Sequence, residues 1–224
     1  LNGKIERLVQ FELTSIPIPQ TEKAQAGVRS KAAGSSLLAT GSWFKFKVNK
    51  TGIYKLTYED IQGMGLSNAE QVRLYGHGGR QLSYANADPR PVDLPEIPVY
   101  MNKGSDGVFG GGDYILFYAE GPVVWDTVNN RFHHHLHHYS GSITYFLTTD
   151  QGPANQVATI DNSNLTANVT VNTYNDYAWY ERERYNLIRS GRNWYSVQFD
   201  EQEFDTTFRF PNNFPDRSYM SMRL

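Results

Sequence analysis

The chain has 224 residues, 39% of them hydrophobic, and a formal net charge of −2 at pH 7. Such a length suits one large all-β domain or two small ones, while near-neutrality with scattered basic residues excludes the electrostatic footprint of a nucleic-acid or anionic-membrane binder. With no cysteine at all, disulfides, thiolate nucleophiles and Cys-ligated zinc are excluded together.

No run approaches the roughly 18 apolar residues of a membrane-spanning helix. The 15 Tyr and 12 Phe favour strands, or a surface that contacts carbohydrate or peptide. Because the chain begins with Leu1, any signal peptide of its parent is expected to lie outside it.

In chain order, residues 4–19 predict an extended strand, limited at its edge by Pro17 and Pro19, which cannot donate to a ladder. Residues 21–36, rich in Ala, Gly, Ser and Lys, predict a flexible linker. The organising stretch runs from Trp43 to Leu66. Phe44, Phe46 and Val48 alternate with Lys45 and Lys47, the Asn49–Gly52 turn signal follows, and Ile53–Tyr58 alternates again. This pattern predicts a β-hairpin. Thr57 is then the N-cap of a helix of two turns at most, with Asp60 at N3 and Gly63 and Gly65 as its stop.

Residues 71–76 predict a short strand, and His77-Gly78-Gly79 a turn. Four prolines between 88 and 101 predict an extended surface run in which Ile97, Val99 and Tyr100 join a sheet edge. A Gly/Asp-rich loop, 104–112, leads into Asp113–Ala119, whose nearly continuous apolar character predicts a strand covered on both faces. Residues 123–125, 132–139 and 142–148 predict further short strands, and 150–175 a long polar connection with one strand.

A second short helix is predicted over 177–190, with Asn175 or Asp176 as cap and Gly191 as stop. Tyr180, Arg184, Leu187 and Ile188 share one face at helical spacing. Together these elements predict an all-β fold, mainly an antiparallel β-sandwich, with two short helices. The expected division is a strand and linker at 1–36, a main β-rich domain at 37–203, and last strands at 204–224 that begin a following β domain.

Five stretches occur in an order that resembles a known family. They are LATGSWFK from Leu38, TGIYKLTYED from Thr51, VRLYG from Val72, GDYILFYAEGP from Gly112, and YNLIRSGRNWY from Tyr185. The set, over residues 37–200, is similar to the N-terminal, pre-catalytic region of the gingipain-like cysteine peptidases, and most of all to the PorU-like sortases of the type IX secretion system of Bacteroidetes. Two positions depart from the family pattern. Ser196-Val197 stands in place of Gly-Glu, and His137-His138 in place of Asn-Pro.

The resemblance implies export to the outer membrane or cell surface of a Gram-negative bacterium, in a parent that removes the C-terminal signal of cargo and joins the cargo to lipopolysaccharide. It also implies a catalytic cysteine and histidine downstream of this chain, so no catalytic residue is placed within it. The implied partners are the chain's own catalytic domain, cargo proteins and outer-membrane secretion components.

Five of the six histidines fall in Arg131–Ser140, RFHHHLHHYS. In a strand, His133, His135 and His137 share one face, where imidazoles two residues apart can chelate Zn²⁺ or Ni²⁺. They are the candidate metal ligands. The competing reading is a polar strand without metal, since zinc sites draw ligands from more than one segment, and no metal or cofactor is expected. His134 falls where the family pattern has histidine, which implies a packed or hydrogen-bonded residue.

Residues 104–113 offer hard oxygens on tight turns, as a Ca²⁺ loop would, without EF-hand spacing. Asn164-Leu165-Thr166, Asn168-Val169-Thr170 and Asp126-Thr127-Val128 match short glycosylation patterns. No Gly-x-Ser-x-Gly, His-Glu-x-x-His or phosphate loop is present. On a helix, Glu181 and Glu183 point to different sides and cannot act as an acid/base pair. Trp43, Trp125 and Tyr139 are candidates for a sugar platform, with core packing as the alternative.

Three functions therefore compete. They are a non-catalytic accessory domain of a peptidase, a carbohydrate-binding or adhesin module, and a histidine-based metal-binding module.

Overall fold

A computed structural model of the chain describes residues 6–7, 34–85, 88–129, 131–159, 170–189, 193–198, 203–211, 213, 219–220 and 222. The chain divides into two compact units, residues 1–162 and 163–224.

The first unit is all-β, and two antiparallel four-stranded sheets form its frame. One sheet has the order β1 (Glu6–Arg7), β3 (Gly52–Thr57), β7 (Tyr114–Ala119), β6 (Val99–Asn102). The other has the order β2 (Phe44–Val48), β10 (Ile143–Thr148), β4 (Arg73–Tyr75), β5 (Glu96–Ile97). A separate hairpin pairs β8 (Val123–Val128) with β9 (Arg131–Leu136).

One hydrophobic core is shared by the two four-stranded sheets. Phe46, Val48, Leu74, Tyr145 and Leu147 enter it from one side, and Tyr54, Leu56, Val99, Ile115 and Phe117 from the other. Phe117 stacks on Tyr54 at 5.9 Å between centroids and meets Phe46 edge-on at 5.8 Å. This is sandwich packing, in which alternate residues of each strand interdigitate with those of the facing sheet.

The alternation from Phe44 to Tyr58 holds, with Phe46, Val48, Tyr54 and Leu56 buried. The expected β2–β3 hairpin does not form. β2 pairs with β10, and β3 with β1 and β7, so the Asn49–Thr51 turn carries the chain from one sheet to the other. Two strands facing each other across a core each need an apolar inner face, as hairpin strands do, so both arrangements share one sequence pattern.

The turn is held by other loops rather than by cross-strand bonds. Thr51 Oγ1 accepts from the Gly121 N–H at 3.0 Å, and a Cβ at Gly121 would lie 2.7–2.8 Å from Lys50 backbone atoms. Similarly, a Cβ at Gly79 would meet the Gly121 carbonyl at 1.7 Å. Glycine is required where three backbones approach this closely.

Pro98 marks another crossing. Ile97 ends the edge strand β5 of one sheet and Val99 begins the edge strand β6 of the other, so a residue without an N–H falls where no ladder bond is needed. This is the expected edge role of the proline-rich run. β6 gains a further backbone partner at residues 155–157, through Val99 N to Asn155 O and Val157 N to Val99 O, each 3.0 Å. No other strand pairing is described within 150–159 or 170–175.

β7 is central in its sheet, but only its inner face is closed. Ile115, Phe117 and Ala119 are buried, whereas Tyr118 is exposed. Its outer aromatics are partly covered by long side chains instead, with Lys55 Nζ 4.6 Å from the Tyr114 ring centroid.

The first helix, α1 (Tyr58–Gly63), forms with the expected capping box. Asp60 N donates to Thr57 Oγ1 at 3.1 Å and Thr57 N to Asp60 Oδ2 at 2.9 Å. Short 3₁₀ turns occupy Leu37–Ala39 and Ala69–Gln71.

The second expected helix, over 177–190, is corrected by the structure. Residues 177–189 are non-helical, and Tyr185 instead bridges Tyr195 through paired backbone bonds of 3.0 and 2.8 Å. Of the proposed helix face, Leu187 is 69% and Ile188 75% exposed, while Tyr180 packs its ring 5.1 Å from that of Phe204. A helix of that length without tertiary burial is marginal in water. Of the strand and linker expected at 1–36, residues 1–5 and 8–33 lie outside the described residues.

Candidate functional site

The histidines lie on the β8–β9 hairpin, whose register decides which of them meet. Asp126 pairs with His133 and Val124 with His135, so these four share one face; Trp125 pairs with His134 on the other. His133 and His135 thus come together as alternation requires. His137 falls beyond the end of β9. Its backbone N–H donates to Pro122 O at 2.8 Å, and its Nδ1 accepts from Tyr139 N at 3.3 Å.

The register also supplies a carboxylate that linear spacing hides. Asp126 Oδ2 lies 3.2 Å from His135 Nε2, and Asp126 Oδ1 accepts from Arg80 Nη1 at 3.2 Å. The same guanidinium lies 3.9 Å from Glu120 Oε1. All of these groups are at least a quarter exposed, so each ion pair is weak in energy and acts mainly to orient its members. Among the described residues no three His, Asp or Glu side chains converge on one point.

Several other candidates are engaged structurally. His134 is half-buried, with its ring 5.4 Å from Trp125. Trp43 donates to Thr40 O at 2.7 Å and packs edge-on against Tyr75 at 5.5 Å, so it anchors the segment before β2. Tyr139 is 87% exposed.

In the Gly/Asp-rich loop the oxygens are occupied by their own backbone. Asn102, Asp106 and Asp113 accept from Gly104, Val108 and Gly110 N–H groups at 3.1, 3.0 and 2.9 Å. The first two are Asx-type turns and the third reaches back three residues, and together they shape the approach to β7. Glu181 and Glu183 lie in non-helical chain.

A polar network missed by reading the sequence ties residues 151–155 to the edge of the sandwich. Arg73 Nε donates to Glu96 Oε1 at 2.9 Å, the Arg73 Nη2 donates to Glu96 Oε2, and Arg73 Nη1 reaches Gln151 O at 2.6 Å. Asn155 donates to both Glu96 oxygens, from N and Nδ2, at 2.9 Å each. Burial by itself would raise the Glu96 pKa, but the hydrogen bonds from Arg73 and Asn155 outweigh it and hold the carboxyl below its ordinary value. Only the pairing of β4 with β5 brings Arg73 and Glu96 together.

The chain has no cysteine, hence no cysteine nucleophile of its own. No described helix is long and apolar enough to cross a membrane. No family model matches the chain, and no curated protein matches it. A solved structure, that of dimeric latent PorU from Porphyromonas gingivalis, is similar to it, with 29% identity and a TM-score of 0.55 over 67% of this chain. The match spans 13% of the PorU chain.

Proposed function

We propose that this chain is a non-catalytic, N-terminal accessory domain of a secreted gingipain-like cysteine peptidase of the PorU-like sortase group. In that role it supports or orients a catalytic domain supplied by the rest of the parent protein, and contacts cargo or outer-membrane secretion components. The parent is then exported to the outer membrane or cell surface of a Gram-negative bacterium.

The observation that supports this reading is the similarity to PorU, which combines 29% identity with a shared arrangement over 67% of the chain. A sandwich whose polar clusters are used to tie loops together is consistent with a supporting role.

The test is to read the parent gene beyond the codon for Leu224 and to treat the full-length product with a cysteine-directed activity probe. The expected result is a downstream histidine and cysteine, with specific labelling lost when that cysteine is changed to Ala. A downstream region lacking the pair would overturn the proposal and shift attention to glycan binding by the exposed aromatics.

A further inference from the structure

The β8–β9 hairpin carries three potential ligands for a first-row divalent metal on one face, and they come from both strands. We infer that His133, His135 and Asp126 form a surface site for a Zn²⁺-class ion, with Arg80 holding the carboxylate in place. This inference does not depend on the peptidase reading.

The geometry of two of the ligands is already close to what the ion requires. His135 Nε2 and Asp126 Oδ2 are 3.2 Å apart. Two ligand atoms at roughly 2.0–2.1 Å from a tetrahedral zinc are separated by about 3.3 Å, the edge of the tetrahedron. A metal can therefore sit between them with little movement of either side chain.

The third ligand has to swing in from the same face. His133 is directly opposite Asp126 in the ladder and two residues from His135, so all three share a face, with cross-strand Cβ atoms about 5 Å apart. The side chains do not converge as they stand. His133 is exposed, so swinging its ring inward costs only a change between staggered rotamers.

The neighbouring groups leave one carboxylate oxygen open. Arg80 faces Asp126 through Oδ1, leaving Oδ2 to the metal, and is itself balanced by Glu120. A carboxylate ligand hydrogen-bonded through its second oxygen is the usual outer-shell arrangement of a metal site. His134 lies on the opposite face and His137 accepts a hydrogen bond through Nδ1 in the following turn, so neither belongs to the site. A plain histidine-tag effect would use all five rings alike.

The experiment is a calorimetric titration of the 224-residue chain with ZnCl₂ alone at pH 7.5, with circular dichroism as the check on folding. The expected result is one ion per chain. The near-isosteric Asp126→Asn weakens binding roughly tenfold or more, His133→Ala with His135→Ala abolishes it, and His134→Ala leaves it within about twofold of the parent chain. Absence of binding overturns the inference. So does an unchanged affinity in Asp126→Asn, or a loss in His134→Ala equal to that in His135→Ala, since either would mean nonspecific chelation.

Discussion

Glu96 shows how much one side chain can organise when burial and pairing act together. Its carboxylate receives Arg73 from within the second sheet and Asn155 from the chain that follows the sandwich. Because its pKa is lowered from the ordinary 4.5, its contribution is fully present above that value and is lost as pH falls through the lower, folded-state value. Glu96→Gln removes the charge but keeps the shape, leaving a mostly buried Arg73 without its counter-ion. The expected cost is about 2 kcal/mol at pH 7, measured by urea denaturation. The difference from the parent chain should shrink as pH is lowered below 4.5, and a constant difference down to pH 2 would show that charge is not the cause. Tyr145 follows the opposite logic, since burial pushes its phenol pKa up while its hydroxyl donates to Glu120 O at 2.7 Å.

At the scale of elements, α1 is the clearest case of local chemistry deciding local structure. Thr57 and Asp60 satisfy each other's exposed N–H groups, which lets a helix of 6 residues start abruptly at the end of β3. Thr57→Ala deletes the hydroxyl that Asp60 N uses, and should destabilise the domain by about 1–2 kcal/mol in a chemical denaturation curve with unchanged slope. The segment at 177–189 makes the contrast. Its apolar residues recur at helical spacing, but Leu187 and Ile188 stay exposed, and a helix that buries so little of its apolar face is marginal in water. The β8–β9 hairpin lies between these cases, since its alternation is legible but the partner of each histidine depends on the register that sets Val128 opposite Arg131.

For the first unit as a whole, stability rests on the layer between the two sheets. Phe117 joins them through ring contacts with Tyr54 from its own sheet and Phe46 from the other. Phe117→Ala should therefore cost about 3–5 kcal/mol, while Tyr118→Ala, one residue along but exposed, should change stability by less than about 1 kcal/mol. Thermal or urea unfolding of the two variants checks this, and equal losses would mean that β7 is covered on both faces after all. The same layer accounts for the two crossings, at residues 49–51 and at Pro98, where the chain passes between sheets.

The sequence alone determined which residues of β2 and β3 lie inside, because strand alternation and burial share a period of two, and it determined the capping of α1, because a capping box acts over three residues. It also carried the resemblance that agrees with the similarity to PorU. Which strands pair was decided only in three dimensions. β2 and β3 face each other across the core rather than sharing a ladder, and a period-two pattern cannot tell these apart. Asp126 came to His135, and Arg73 to Glu96, by the same route. Each contact joins residues on different strands, through a pairing register that neither segment encodes by itself.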